Sequence, residues 1–343
     1  MTKMVDVAAR AGVSIATVSR VLNNQEVVND EMVQRVLSAV RELNYRPNRS
    51  AQALKKQLSS AVGVVLNSFN SSYFGELIEG IDHKLRKVNF ATLAETSLQT
   101  AEGQIAAWSS LMERQCEAIV LHADMVPKSQ LQKILSESPT TVVVNQCVEG
   151  FEDRCVYLDN AAAGQLAAQR FMDLGHRNIA MLAGPSHLTE IEDRSHGFLT
   201  QLDAHGITLP NSRIEYVEYD TQLEEAVVSQ WVRQDINITS IFAYNDVMAA
   251  IALSTCRALG VRIPDDISIM GFDGVEFTQY LTPKLTTIRQ PLYQIGASAA
   301  GLAHSLARSK TSGNDIQRVF QATLVEGGSM RAISYQNHNQ TEE

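Results

Sequence analysis

Apolar residues recur at helical spacing from the start of the chain. In MVDVAARAGVSIATVSRVLN (residues 4–23), Met4, Val7, Ala8 and Ala11 fall on one helix face. Ala8 is small enough for a second helix to cross closely. Gly12 can adopt the left-handed conformation that ends a helix, and Ser14 can N-cap the next one. Val18 with Val21 or Leu22 gives that second helix its own buried face, which leaves Ile15, Ala16, Thr17, Ser19 and Arg20 outside. This spacing predicts a helix-turn-helix, whose second helix enters the DNA major groove. The same spacing would also serve an ordinary pair of packed helices.

Asn29 or Asp30 can cap a third helix carrying Met32, Val36, Val40 and Leu43 on one face. It ends before Pro47, because proline disfavours helix in the residue ahead of it. Residues 47–60 read as a connector. Beyond it the period changes. Short β-rich runs at 61–67, 89–95, 116–122, 140–146, 154–159, 177–184, 213–219, 240–246, 267–273 and 285–290 alternate with helical stretches. Those stretches include 74–87, 101–114, 161–174, 191–205, 222–234 and 247–259. Such alternation predicts parallel sheets covered by helices on both faces. Ten strands suit two similar α/β lobes with a cleft between them. Residues 336–343 form a polar tail.

The chain has 343 residues, 45% of them apolar, which is enough for two or three domains with sizeable cores. No run approaches the ~18 to 20 apolar residues of a membrane span. The first ten residues lead into no apolar signal region, so a cytoplasmic protein is expected. Cys116, Cys147, Cys155 and Cys256 lack metal-ligand spacing and read as reduced residues in or near the core. The net charge of −9 is unevenly distributed. Residues 1–60 carry nine Lys and Arg against five Asp and Glu, and the remainder 20 against 33. A basic head on an acidic body suits a protein that presents one end to phosphates.

Asp6, Val7, Ala8, Gly12, Val13, Ser14, Thr17, Val18, Ser19, Arg20 and Val21 form one motif, followed by Tyr45, Pro47, Ala51 and Leu54. With GFDG at 271–274 and LTTIRQP at 285–291, the chain resembles the LacI/GalR family of bacterial transcription repressors over almost its whole length. The resemblance implies an N-terminal helix-turn-helix DNA-binding domain (1–46) and a hinge helix or linker (47–60). It also implies a two-lobed α/β body like a periplasmic binding protein (61–335). Lobe one would span about 61–159 and 291–318, and lobe two about 160–290 and 319–335. The family implies palindromic operator DNA as partner, a homodimer, a small-molecule sugar effector, no cofactor and no membrane.

On that resemblance Ile15 and Ala16 choose the operator. Both are apolar, so each can meet a thymine methyl group but cannot make bidentate hydrogen bonds. Arg20 can reach guanine N7 and O6. Ser14, Thr17 and Ser19 suit phosphate contact or capping. Arg10 and Arg35 are open between DNA-backbone contacts and solvated charges. Leu54 would wedge into the central base step from the minor groove.

Effector contacts are expected where parallel strands end. Asn145, Asn245, Asp273 and Arg194 match ligand-contacting positions of sugar-responsive members, with Asp246 beside them. Taken singly, an Asp or Asn there could also be an N-cap. Tyr73 and Phe74 could stack on a sugar face, and Phe272 or Phe277 could supply a wall. Galactose-sensing members look most similar, through VLHADMVPKSQL, GFEDRCVYLDN, AYNDVMAA and QYLTPKLTTIRQP. Asn145-Gln146 departs from their Asn-Arg, which leaves the exact sugar open. Purine-sensing members carry a basic residue where Leu188 stands. A solute-binding protein would have no use for residues 1–60. An enzyme is disfavoured because no GxSxG, P-loop or nucleophile–base arrangement is present.

Overall fold

The computed structural model describes residues 2–22, 28–45, 60–218, 220–234, 237–308 and 315–333. The chain divides into two compact units, residues 1–59 and 60–343.

The head consists of α1 (Met4–Ala11), α2 (Ile15–Leu22) and α3 (Asp30–Glu42). Its core is Val7, Ala8, Ala11, Val18, Val21, Val36, Ala39 and Tyr45. Gly12 ends α1 at φ +65°, in the left-handed region. Asn29 caps α3 by accepting the Glu31 N–H at 2.9 Å. The face of α3 departs from expectation at one position. Met32 is 41% exposed, and Val33 packs on the core in its place. Val33, Val36, Val40 and Leu43 keep the three- and four-residue steps of one helix face; Met32, four residues before Val36, lies at the edge of that stripe in the first turn of α3 and stays exposed.

The body contains two six-stranded sheets. The first comprises β1 (Ala61–Leu66), β2 (Ala91–Thr96), β3 (Ala118–His122), β4 (Thr141–Val144), β5 (Cys155–Leu158) and β11 (Val319–Phe320), in the order β11-β5-β4-β3-β1-β2. The second comprises β6 (Ile179–Ala183), β7 (Ile214–Tyr216), β8 (Ser240–Ala243), β9 (Ser268–Asp273), β10 (Thr286–Arg289) and β12 (Thr323–Val325), in the order β12-β10-β9-β8-β6-β7. Every pairing is parallel except β10 with β12. β1 lies inside its sheet, with Val64 opposite both Ala94 and Val120. Val62, Val64 and Leu66 face one core and Val65 the other, which is why the strand reads as an unbroken apolar run.

The helices are α4 (Ser72–Arg86), α5 (Ala101–Glu113), α6 (Lys128–Glu137), α7 (Asn160–Asp173), α8 (Thr189–Asp203), α9 (Thr221–Arg233), α10 (Asp246–Ala258) and α11 (Leu292–Ala307). α6 and α11 are absent from the helices named on the sequence. The expected strands at 140–146 and 240–246 stop early, so Asn145 and Asn245 lie just beyond β4 and β8. The chain passes between lobes after β5, after β10 and after β11. The last crossing falls at 321–322. Val319 and Phe320 therefore belong to lobe one, not to lobe two as the expected boundary had it, because they pair with Tyr157 and Leu158 of β5.

Each lobe rests on a helix pair that meets through glycine. α4 and α11 form one pair, with Gly80 against the Tyr293 carbonyl and Gly296 against that of Leu77. α7 and α8 form the other, with Gly164 against the Arg194 carbonyl and Gly197 against that of Ala161. A Cβ on Gly197 would stand 2.1 Å from the Ala161 oxygen. Gly197→Ala should therefore destabilise the body by about 1–3 kcal/mol. Gly75→Ala, in α4 with open space around it, should stabilise by roughly 0.5–1 kcal/mol. Urea unfolding of both variants checks the opposite signs.

Candidate functional site

In the head, the start of α2 is held by its own side chains. Ser14 Oγ accepts the Thr17 N–H at 3.1 Å and lies 2.9 Å from Thr17 Oγ1. Ser14 and Thr17 are thus the capping pair of α2, and Ser19 is half-buried on the same helix. Ile15, at 49% exposure, Ala16 and Arg20 stand outward. Arg35 has partners within the head. Its guanidinium donates to the carbonyls of Ala11 (2.6 Å) and Gly12 (3.2 Å), capping the end of α1. Arg10 pairs with Glu42 at 2.5 Å, tying α1 to α3. Leu54 and the rest of the connector up to Ser59 lie outside the described residues.

In the body, a cavity of about 480 Å3 is lined from both lobes. Tyr73, Phe74, Asn145, Arg194, Asn245 and Asp273 all line it, as do Asp246 and Phe277.

On the lobe-one side, the Tyr73, Phe74 and His122 rings meet edge to face, with centroids 4.9–5.7 Å apart. Tyr73 Oη lies 3.3 Å from His122 Nε2. His122 Nδ1 in turn lies 3.8 Å from Asp124 Oδ1. The Asp124 carboxylate also accepts from Asn67 Nδ2, Gln104 Nε2 and, at 2.9 Å, the Met125 N–H. Burial pushes the Asp124 carboxyl up, but His122 and these amide donors outweigh it and hold the group below the usual carboxylate range. The Tyr73 hydroxyl is raised well above its ordinary value, first by burial and then by Asp273 and Glu190, so it stays neutral.

Lobe two is organised around Arg194, which is 3% exposed. Its guanidinium carbon sits 3.4 Å from the Phe272 ring centroid and 4.3 Å from that of Tyr244. Nη1 donates to the Tyr244 carbonyl at 2.7 Å, while Nε and Nη2 donate to Asn160 Oδ1 at 3.2 and 2.8 Å. Three of the five N–H donors of an arginine are thereby used. Phe272 is thus the bed of Arg194, and Phe277 is the one of the two expected walls that lines the cavity.

Asp273 ends β9 at φ +103°, a left-handed conformation unusual for a side-chain-bearing residue. Its Oδ1 accepts from Gln290 Nε2 at 2.8 Å. Burial pushes the carboxyl up to about 6 against the pull of Arg194 and Gln290. Asn245 caps α10 by accepting the Met248 N–H at 2.8 Å, so its amide N–H2 is what remains for the cavity. Asp246 accepts from Thr287 Oγ1 (2.6 Å) and the Val275 N–H (2.9 Å), and burial and then Asp273 push it up to about 8.

The sequence reading missed Glu190, His122, Asp124, Glu224 and Gln290, all of which line the cavity. His122 ends β3, so the strand-end rule used for Asn145 could have found it. Glu190 lies one helical turn before Arg194 in α8, on the same face. Leu188 is fully buried at the start of α8 and offers the cavity no polar group.

A helix-turn-helix head joined to a two-lobed α/β body with a polar cleft defines a ligand-responsive DNA-binding regulator. Comparison with known proteins gives the family. Residues 3–48 match the model of bacterial regulatory proteins of the lacI family, and residues 168–330 match a periplasmic binding protein-like domain. The chain is 35% identical over 323 residues to the HTH-type transcriptional regulator GalS of Salmonella typhimurium strain LT2, covering 93% of this chain and 94% of that one. It is 32% identical over 342 residues to the HTH-type transcriptional regulator GalR of Escherichia coli K12, covering 99% of each. In fold it is similar to the lac repressor dimer bound to operator and the anti-inducer ONPF, with TM-score 0.85 and 23% identity over 96% of this chain and 99% of that one. The chain belongs to the lacI family, and it is a transcriptional regulator rather than an enzyme.

The raised carboxyls predict a pH dependence. Burial pushes Glu190 up to about 7, with Asp124 adding to the rise, and Glu224 up to about 7, with Asp220 adding. The folded state holds these protons, and that of Asp246, at pH values where ordinary carboxyls of the unfolded chain have lost theirs. Stability is therefore lost as pH rises through the folded-state values. His176 acts in the opposite sense and lower, because burial pushes it down to about 4. From about pH 6.5 to about pH 8.5 the empty body should lose roughly 1–2 kcal/mol per such carboxyl. A falling melting temperature across this interval is the expected result, and a rise would contradict it.

Proposed function

We propose that the chain is a cytoplasmic repressor that binds palindromic operator DNA as a homodimer. In this reading a small sugar held in the cleft, galactose or a galactoside, controls operator affinity. The observation that carries it is the meeting of six sequence-predicted positions, from five separate places in the chain, around one cavity of about 480 Å3. Asp273 accepts sugar hydroxyl protons, Arg194 supplies its two remaining N–H groups, and Asn145 and Asn245 supply amides. Tyr73 and Phe74 give an apolar face to the ring. The alternative of a purine effector is disfavoured by Leu188, which stands where purine-sensing members carry a basic residue and is a fully buried apolar side chain outside the cavity lining.

In the head, Ile15 and Ala16 meet thymine methyl groups and Arg20 reads guanine. Ser14 and Thr17 set the start of the reading helix. Residues 47–60 act as the hinge, with Leu54 as a minor-groove wedge. Sugar binding favours the state of low operator affinity, so the two sites are linked.

Arg20→Ala should weaken operator binding by roughly 1–3 kcal/mol and relax selectivity at one base pair, leaving sugar binding unchanged. Operator titrations with single-base variants measure both. Asp273→Ala should hold operator as the parent does but need roughly ten- to a hundredfold more galactose for release, since a buried hydrogen bond to a charged group is lost. Equal release from parent and variant would remove Asp273 from the site. If no hexose releases the parent, the sugar reading itself fails.

A further inference from the structure

The cleft holds more hydrogen-bond acceptors and negative charge than its own side chains satisfy. Asp124, Glu190, Glu224, Asp246 and Asp273 line it, against Arg194 as the one Lys or Arg among its described lining residues. Most of these groups have partners. Asp124 receives Asn67, Gln104 and the Met125 N–H, Asp246 receives Thr287 and the Val275 N–H, and Asp273 receives Gln290. Glu190 differs. It is 4% exposed, its carboxyl receives only its own backbone N–H and a long 3.4 Å hydrogen bond from Tyr244 Oη to Oε1, and its Oε2 has no partner. Glu224 Oε2 is likewise buried without a donor.

A buried carboxylate oxygen lacking a donor is costly. A proton or an incoming donor removes the cost. Arg194 and His122 favour the ionised Glu190 through their charge, but neither donates a hydrogen bond to its Oε2. Arg194 spends three of its donors on Asn160 and the Tyr244 carbonyl, Tyr73 is neutral, and His122 meets Tyr73 through Nε2 and faces Asp124 at 3.8 Å through Nδ1. Asp124, from the opposite lobe, adds repulsion. A sugar hydroxyl donates one hydrogen and brings acceptor lone pairs into a site rich in acceptors. An ammonium donates three, accepts none and carries the complementary charge.

We propose that the effector carries a positively charged amine, as a 2-amino-2-deoxyhexose does, and that Glu190 is the carboxylate that selects it. The proposal rests on the reading of the cleft as a sugar site. On binding, a protonated Glu190 releases its proton to solvent, and the ammonium donates an N–H to the carboxylate in its place. Phosphorylated sugars and sugar acids are rejected by the same field.

Calorimetric titration of the full-length protein near pH 7 tests this with three probes: D-galactose, 2-amino-2-deoxy-D-galactose and its N-acetyl derivative, which keeps the nitrogen but not the charge. The amine should bind at least tenfold more tightly than either neutral sugar, with proton release measured in buffers of different ionisation enthalpy. In E190Q, of nearly the same size, that advantage should fall below threefold. The comparison of charged with acetylated amine in the parent stands even if E190Q does not fold. Galactose binding as tightly as the amine would overturn the proposal and leave the sugar reading intact. A preference that survives in a folded E190Q would remove Glu190 from the role. Binding of none of the three would overturn both readings.

Discussion

The floor of the cleft depends on one buried cation. A guanidinium removed from water needs hydrogen bonds and compensating charge, or its burial costs several kcal/mol. Arg194 obtains them from Asn160 of α7, the carbonyl that follows β8, the ring at the end of β9 and the ring of Tyr244. Three elements, α7, β8 and β9, are thus referenced to one side chain on α8. The arrangement requires α7 and α8 to be close enough for Asn160 to reach across, and Gly164 against the Arg194 carbonyl permits that approach. Arg194 also pulls against the burial of Asp273, so the acid beside it titrates far closer to neutrality than an exposed carboxyl but is not forced to stay neutral.

The two sides of the cleft treat their acids differently. On the lobe-one side Asp124 sits in a network of amides and an imidazole, and it is held charged despite burial. Lobe two leaves Glu190 and Glu224 short of donors. A satisfied network is rigid, whereas an unsatisfied one waits for a proton or a ligand. Because Asp124 raises Glu190 from across the cleft, the charge state of one lobe is felt in the other. This gives a ligand that neutralises Glu190 a direct energetic grip on both lobes at once.

The head uses a cation in a simpler way. Arg35 lies against Gly12, where a Cβ would stand 2.5 Å from its Nη2, and satisfies the carbonyls that end α1. The turn between α1 and α2 is thereby fixed from α3. With Ser14 and Thr17 closing on each other at the start of α2, the outward residues Ile15, Ala16 and Arg20 stand on a helix whose start is set by its own side chains.

Local pattern determined much of this protein. Helical spacing with Gly12 and Ser14 gave the head, and unbroken apolar runs gave the strands, because a strand covered on both faces has no polar period to show. The strand-end rule, with the family motif, found six residues that meet in one cavity. What the sequence could not decide was pairing across distance. Val33 rather than Met32, Arg35 as a cap, and Val319–Phe320 in the first sheet each follow from which surfaces come together. The network around Asp124 and the isolation of Glu190 follow from it too. A carboxylate reads the same in a sequence whether it ends up solvated, bonded or alone. Its role is fixed by the donors that folding brings within reach, and some of them, such as Asn67 and Gln104 on Asp124, lie tens of residues away.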